Sequence, residues 1–315
     1  METPAIRIRG LIKRYGALNA VDGVDLDVAR GEIFALLGPN GAGKTTTVEI
    51  CEGYRRRDGG QVSVLGIDPG NPTLDWRARI GIVLQSVHDL EEITVTEAVQ
   101  HVASLYPSSR DIDEVIDAVG LTQKASSRAG KLSGGQRRRL DVALGIVGKP
   151  ELLFLDEPTT GFDPEARRSF WGLIDSLRDG GTTILLTTHY LDEAEALADR
   201  VAVIAAGKIL ELGTPETLGG RATSLAVVSW LENDEPHVEH TATPTAFVTS
   251  LANRLGDEIN GLQVTRASLE DIYLTMIAAQ SATDSTLRDP GLHATTGNLT
   301  ATPTVSSTTV SGSNR

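Results

Sequence analysis

Gly38-Pro39-Asn40-Gly41-Ala42-Gly43-Lys44-Thr45 fits the spacing G-x-x-x-x-G-K-[ST] and follows directly on the apolar run Ile33-Phe34-Ala35-Leu36-Leu37. That pattern suits a loop whose backbone N–H groups curl around phosphate oxygens, in conformations that a Cβ would obstruct. A helical segment carrying Val48, Ile50 and Cys51 comes next, so the positive end of its dipole points at the same oxygens. In this arrangement Lys44 reaches the β- and γ-phosphates and the Thr45 hydroxyl ligates Mg²⁺. The bland alternative is a glycine-rich structural turn.

Four further sites carry chemistry. Leu152-Leu153-Phe154-Leu155-Asp156-Glu157 ends a buried strand on two adjacent carboxylates, one suited to a magnesium shell and the other to activating water. Alone, such a pair is as often an acidic strand end facing solvent. His189 follows Thr182-Thr183-Ile184-Leu185-Leu186-Thr187-Thr188, and Gln85 ends Ile80-Gly81-Ile82-Val83-Leu84. Both therefore fall at strand C-terminal ends, where ligands bind in open α/β sheets, although a lone histidine is more often a structural hydrogen bonder. Leu132-Ser133-Gly134-Gly135-Gln136 is a second anion-site pattern, with Ser133 as helix N-cap and two glycines leaving N–H groups open. The basic run Arg137-Arg138-Arg139 after it reads equally well as a solvated helix face.

The elements that must position these residues are legible from periodicity. Continuous apolar runs at 33–37, 152–155 and 184–186 suit parallel strands covered on both faces. Val24, Leu26 and Val28 alternate with Asp25, Asp27 and Ala29, which predicts an antiparallel, half-solvated strand near the N-terminus. Between Thr94 and Val147 the pattern is helical: a Thr94/Glu97 capping box, a stripe of Ile112, Val115, Ile116 and Val119 closed by Gly120, and a third stripe of Leu140, Ala143, Leu144 and Val147. The expected fold is α/β, with a mixed sheet, an N-terminal antiparallel β subdomain and a helical insert at about 94–147, all within residues 1–220. Residues 221–280 suggest a small α+β appendage, with a strand near 225–228 and helices at 247–255 and 268–279. Of the last 35 residues 15 are Ser or Thr, which predicts a disordered tail over 281–315.

Composition removes whole classes of function. The 315 residues carry 29 Lys+Arg against 42 Asp+Glu, a net charge of −13, which argues against non-specific nucleic-acid binding. Only 3 Trp, 5 Tyr and 5 Phe are present, too few for a row of base-stacking platforms. The single Cys51 excludes a disulfide framework and a multi-cysteine zinc site. No apolar run approaches the roughly 20 residues of a membrane span, and the N-terminus lacks the basic and apolar regions of a signal peptide. A cytoplasmic chain is expected.

Taken together in order and spacing, the phosphate loop, Gln85, LSGGQ, Asp156-Glu157 and His189 resemble the ATP-binding-cassette (ABC) ATPases. The stretches 31–46, 132–163 and Gly207-Lys208-Ile209 are most similar to bacterial drug-export ATPases of the daunorubicin-resistance type. The resemblance covers residues 5–220 strongly and 221–280 weakly. It implies that Tyr15 stacks on adenine and that Gly38, Asn40, Gly41, Ala42, Gly43, Lys44, Thr45 and Thr46 cradle the phosphates of ATP. It places Thr45, Gln85 and Asp156 around Mg²⁺, makes Glu157 the general base and sets His189 and Lys44 at the γ-phosphate. It further implies a head-to-tail homodimer, in which Ser133, Gly134, Gly135 and Gln136 contact ATP held by the partner and Asp163 lies near the interface. The implied role is to drive export of a drug or other hydrophobic compound through a separate membrane permease, at the cytoplasmic face of the membrane. A translation or DNA-repair ATPase of the same family would carry tandem cassettes, long coiled coils or zinc cysteines, none of which this sequence has. A low-turnover regulatory protein is the other alternative, disfavoured because Glu157 and His189 are both present. The sequence departs from the family in Thr160-Gly161-Phe162-Asp163, where Ser-Ala-Leu-Asp is common, and in Ser86–Glu92, which lacks the usual aromatic and proline residues.

Overall fold

Strand β3 (Ile33–Leu37) is buried on both faces because its alternating side chains enter two different cores. Ile33, Ala35 and Leu37 point to a helical layer, while Phe34 and Leu36 point to an antiparallel β layer. The computed structural model describes residues 3–83, 90–256 and 258–287, with side chains up to 280. Before β3 come β1 (Ile6–Tyr15) and β2 (Leu18–Val28); after it come α1 (Lys44–Cys51), β4 (Gly59–Val64), α2 (Leu74–Arg77) and β5 (Ile80–Val83). Strands β1, β2 and β4 form an antiparallel sheet of order β2-β1-β4, the half-solvated element expected from the alternation at 24–29.

The helices α3 (Val95–Ala103), α4 (Ile112–Ala118) and α5 (Gly134–Ile146) follow. Helix α3 starts on the expected capping box, Thr94 Oγ1 accepting from the Glu97 N–H while the Glu97 carboxylate accepts from the Thr94 N–H at 2.8 Å. Gly120, at φ +67°, terminates α4. The chain then alternates through β6 (Leu152–Asp156), α6 (Pro164–Asp179), β7 (Thr183–Thr188), α7 (Leu191–Leu197), β8 (Arg200–Ala205) and β9 (Lys208–Gly213). The main sheet has the order β5-β6-β7-β3-β8-β9, parallel except for β9. This is the mixed-sheet α/β architecture read from the sequence.

Beyond it, β10 (Ala226–Glu232), β11 (Glu235–Thr241), α8 (Pro244–Leu255) and β12 (Gln263–Thr265) make a small antiparallel sheet with one covering helix, closed around Val228, Trp230 and Leu251. The last helix, α9 (Leu269–Leu287), leaves this unit and packs on α7, β8 and the 3-10 segment at 218–223. Its backbone continues to Leu287, past the expected start of the tail at 281. Residues 288–315 lie outside the described residues. Among the described residues no helix is long and apolar enough to cross a membrane.

Candidate functional site

The register of the parallel strands places the chemistry. Leu37 is paired with Thr188 and Asp156 with Thr187, so the ends of β3, β6 and β7 finish level. The residues that follow, Gly38, Glu157 and His189, are therefore delivered to one edge of the sheet. A cavity of about 470 Å³ opens there, lined by Gly38, Pro39, Asn40, Thr45, Asp156, Glu157, His189 and Tyr273.

The loop from 38 to 43 is shaped by glycine. Gly43 sits at φ +106°, and a Cβ there would lie 2.4 Å from the Ala20 carbonyl. A Cβ on Gly38 would lie 2.2 Å from the Ile204 carbonyl. Lys44 heads α1 with its side chain arched back over the loop, Nζ donating to the carbonyls of Gly38 (2.7 Å) and Pro39 (3.2 Å). Burial pulls its pKa below the ordinary lysine value, while Glu157 and Asp156 pull the other way.

Adjacent strand residues point to opposite faces, so Asp156 and Glu157 can share a cavity only if the chain turns between them. It does: Glu157 adopts φ +45°, rare for a residue with a side chain. The strained backbone is held by the Glu157 N–H, which donates to the Thr187 carbonyl at 3.0 Å and approaches its hydroxyl at 3.3 Å. The same hydroxyl donates a short hydrogen bond to Asp156 Oδ1. Glu157 Oε1 lies 3.2 Å from His189 Nδ1, which puts carboxylate and histidine on one edge of the cavity.

Other sequence-assigned residues fall elsewhere. Tyr15 ends β1, 42% exposed and outside the cavity lining, with Lys13 Nζ at 5.6 Å and Arg55 Cζ at 5.4 Å from its ring centre. Gly41, Ala42, Gly43 and Thr46 belong to the loop and the start of α1 behind the lined cavity. Ser133, Gly134, Gly135 and Gln136 open α5 away from it: Ser133 Oγ accepts from the Gln136 N–H at 3.3 Å, and Gln136 Oε1 accepts from the Ser133 N–H at 3.1 Å. Asp163 caps α6, accepting from the N–H groups of Glu165 and Ala166 ahead of Pro164 at the first helical position. Phe162, one of the departures from the family pattern, is buried edge-on against Phe170 with ring centres 5.7 Å apart. Gln85 and Ser86–Asp89 lie outside the described residues.

The solvated-face reading of Arg137-Arg138-Arg139 fails at its centre. Arg138 is 7% exposed, its Nε donating to the Pro158 carbonyl at 3.1 Å and its Nη2 to the Asp156 carbonyl at 2.6 Å. The physical reason is helical position: residue 138 shares a face with Asp141, Val142 and Gly145, which is the face α5 turns inward. Sequence reasoning also missed Thr187 and Tyr273. Thr187 meets Asp156 only because β6 and β7 are neighbours in the sheet, which no sequence signal states. Tyr273 stands in the stripe Leu269, Tyr273, Met276, Ile277 of a helix whose apolar side packs on the main core.

A phosphate-cradling loop, a hydrogen-bonded carboxylate pair and a histidine at the ends of parallel strands, joined to an LSGGQ-headed helix on the same chain, define an ATP-binding-cassette ATPase. Comparison with known proteins agrees. The family model for ABC transporters matches residues 21–160. The daunorubicin resistance ATP-binding protein DrrA2 of Streptomyces coeruleorubidus is 37% identical over 308 residues, covering 88% of this chain and 96% of that protein. A fluoroquinolones export ATP-binding protein of Mycobacterium tuberculosis is 38% identical, over 88% of this chain and 95% of that one. A solved ATP-binding subunit of an ABC transporter shares the fold at a TM-score of 0.66 and 23% identity, covering 87% of this chain and 99% of that one. The chain belongs to the ABC transporter ATP-binding family and is an ATPase of the export type.

Proposed function

We propose that two copies of this chain close head to tail on two ATP molecules and drive a separate membrane permease that exports a drug or other hydrophobic compound. The observation that carries this reading is the separation of two anion sites within one chain. The carboxylates and His189 line the phosphate cavity, whereas Ser133 and Gly134 stand exposed at the head of α5, outside it. A second copy supplies the missing wall, so the catalytic site is completed only on closure, and ATP favours the closed pair because it touches both halves.

Within the site, Lys44 and the loop N–H groups bind the β- and γ-phosphates. Glu157 accepts the proton of the attacking water, and His189, with Nδ1 3.2 Å from Glu157, contacts the γ-phosphate. The hydroxyl of Thr45 and the carboxylate of Asp156 are hard oxygen donors on one cavity wall, which suits Mg²⁺, an ion that takes few protein ligands beside phosphate and water. When bound, the ion neutralises charge developing on the phosphates. Gln85 is assigned to the same shell on sequence alone. Tyr15, with its partly open ring, takes the adenine.

The permease contact is assigned to an apolar groove lined by Glu52, Tyr54, Ile82, Val83, Asp141 and Leu144, at the edge strand β5 just before residues 84–89. Tyr54 is 80% and Ile82 37% exposed there, an apolar surface left uncovered by the described residues. The test is ATP hydrolysis by detergent-solubilised membranes containing this chain with and without its permease, beside Glu157→Gln. Hydrolysis lost in Glu157→Gln with ATP binding kept, and raised by the permease, is the expected outcome. Activity that depends on Glu157 yet ignores the permease would remove the transport role and leave the ATPase.

A further inference from the structure

One side of the phosphate cavity is lined from an unexpected direction. Seven of its lining residues come from the loop and from the ends of β6 and β7; the eighth, Tyr273, comes from α9 in the C-terminal region. The lining includes Gly38, Pro39, Asn40, Thr45 and the catalytic pair but not Gly41–Gly43, Thr46 or Tyr15. The cavity, which holds both carboxylates and His189, is thus the end of the site where the terminal phosphate and the attacking water belong, away from Tyr15 and the adenine.

Tyr273 is held there firmly. Leu269 at the start of α9 is fully buried in the main core, and Tyr273, Met276 and Ile277 pack against the same core. Ser268 caps the helix, its hydroxyl donating to Asp271 Oδ2 at 2.7 Å and accepting from the Asp271 N–H at 3.1 Å. Arg221 ties the approach down, donating to the Ala267 carbonyl at 2.9 Å and to Glu195 on α7 at 2.6 Å. Ile272 fills the space that a Cβ on Gly219 would occupy, 2.2 Å away. A phenol keeps its proton at neutral pH and so presents a donor, and burial pushes the Tyr273 pKa further above its ordinary value.

We propose that Tyr273 is a nucleotide-discriminating residue, its phenolic O–H donating to the terminal phosphate of ATP and so making the attachment of α9 sensitive to whether a third phosphate is present. The inference rests on the ATPase assignment and adds a contact from the same chain at the γ-phosphate end. ADP offers no phosphate in that part of the cavity, so the contact separates the two nucleotides rather than tightening both. A hydrogen bond from a neutral donor to a charged group, made in a half-buried site, is worth about tenfold in affinity.

The test uses the full-length chain carrying Glu157→Gln, so that ATP survives the titration, with ATP and ADP measured separately in the presence of Mg²⁺. Adding Tyr273→Phe, which keeps the ring and its packing, is expected to weaken ATP about tenfold and leave ADP unchanged. Leu274→Ala, on the exposed side of the same helix, is the control and should alter neither. Equal ATP and ADP affinities before and after Tyr273→Phe would overturn the proposal, as would parallel weakening of both nucleotides, which marks a packing role. Tighter ATP binding in Tyr273→Phe or Tyr273→Ala would also overturn it, by making the side chain an obstruction. Lys44→Ala keeps the two levels apart. If it leaves ATP binding intact, the site assignment itself is wrong; if it abolishes binding, only the role of Tyr273 is being judged.

Discussion

Thr187 fixes both carboxylates of the site at once. Its hydroxyl donates to Asp156, and its carbonyl holds the N–H of Glu157 in a left-handed conformation that costs on the order of 1 kcal/mol or more. Thr187→Val keeps shape and strand propensity but removes the hydroxyl, leaving Asp156 free to swing. Turnover is expected to fall at least tenfold while nucleotide binding through the loop persists, as steady-state hydrolysis and equilibrium titration would establish. Glu52, at the rim of the apolar groove, makes a second residue-level prediction. Burial chiefly, with Asp156 and Glu49 adding repulsion, raises its pKa from 4.5 to about 7. The folded chain then binds more protons than the unfolded one between those values. Stability associated with this group is present at low pH and lost as pH rises through about 7. Glu52→Gln should therefore unfold at nearly the wild-type temperature near pH 5 and at a higher one near pH 8, and a gap that fails to widen with pH would contradict the assignment. Cys51, one position earlier, is wholly buried, and burial raises its thiol far above the ordinary range, so the chain's single cysteine is inert packing.

Helix α5 is the element that joins the LSGGQ segment to the carboxylate-bearing strand end. It begins at Ser133, where LSGGQ opens, and one turn later Arg138 grips the carbonyls of Asp156 and Pro158. Movement at the head of α5 is thereby carried to the strand end that bears the carboxylates. Arg138→Met would strand two buried carbonyls and is expected to cost about 2 kcal/mol in urea unfolding, with hydrolysis falling alongside. A variant as stable as the parent would mean that the guanidinium is dispensable. This element also marks where sequence reading stops. Composition and period were enough for the sheet, because runs such as Leu152–Leu155 have no polar face to offer water, and enough for α3, whose capping box is written at Thr94 and Glu97. The placements of Gly38, Asp156 and His189 at strand ends were equally legible. The partners of Arg138 and Thr187 were not, since the first depends on how α5 seats against the end of β6 and the second on β7 lying beside β6. In a parallel sheet that order is decided by packing between residues more than a hundred positions apart, as in the Leu37–Thr188 pair. The reach of Tyr273 into the cavity was hidden for the same reason.

At the scale of the whole molecule, the C-terminal region is anchored on the ATPase core by α9 rather than tethered beside it. Leu269 contributes a fully buried side chain to the core that also holds Ile33, Leu153 and Ile184 of the main sheet. Leu269→Ala is expected to cost about 2–4 kcal/mol and to lower the single unfolding transition of the entire chain. A separate, earlier transition confined to the C-terminal region would indicate independent units. The order of strands has one further consequence, for the nascent chain on the ribosome. Strand β3 emerges early, yet both its neighbours, β7 and β8, are made some 150 residues later. At elongation rates of roughly 5–20 residues per second that is roughly 10–30 s during which five consecutive apolar residues and the loop after them have no sheet to join. The ATPase fold therefore cannot be completed in stages from its N-terminus. A ribosome stalled before Arg200 should display a chaperone-binding, protease-sensitive chain, and resistance should arrive abruptly once β8 has cleared the exit tunnel.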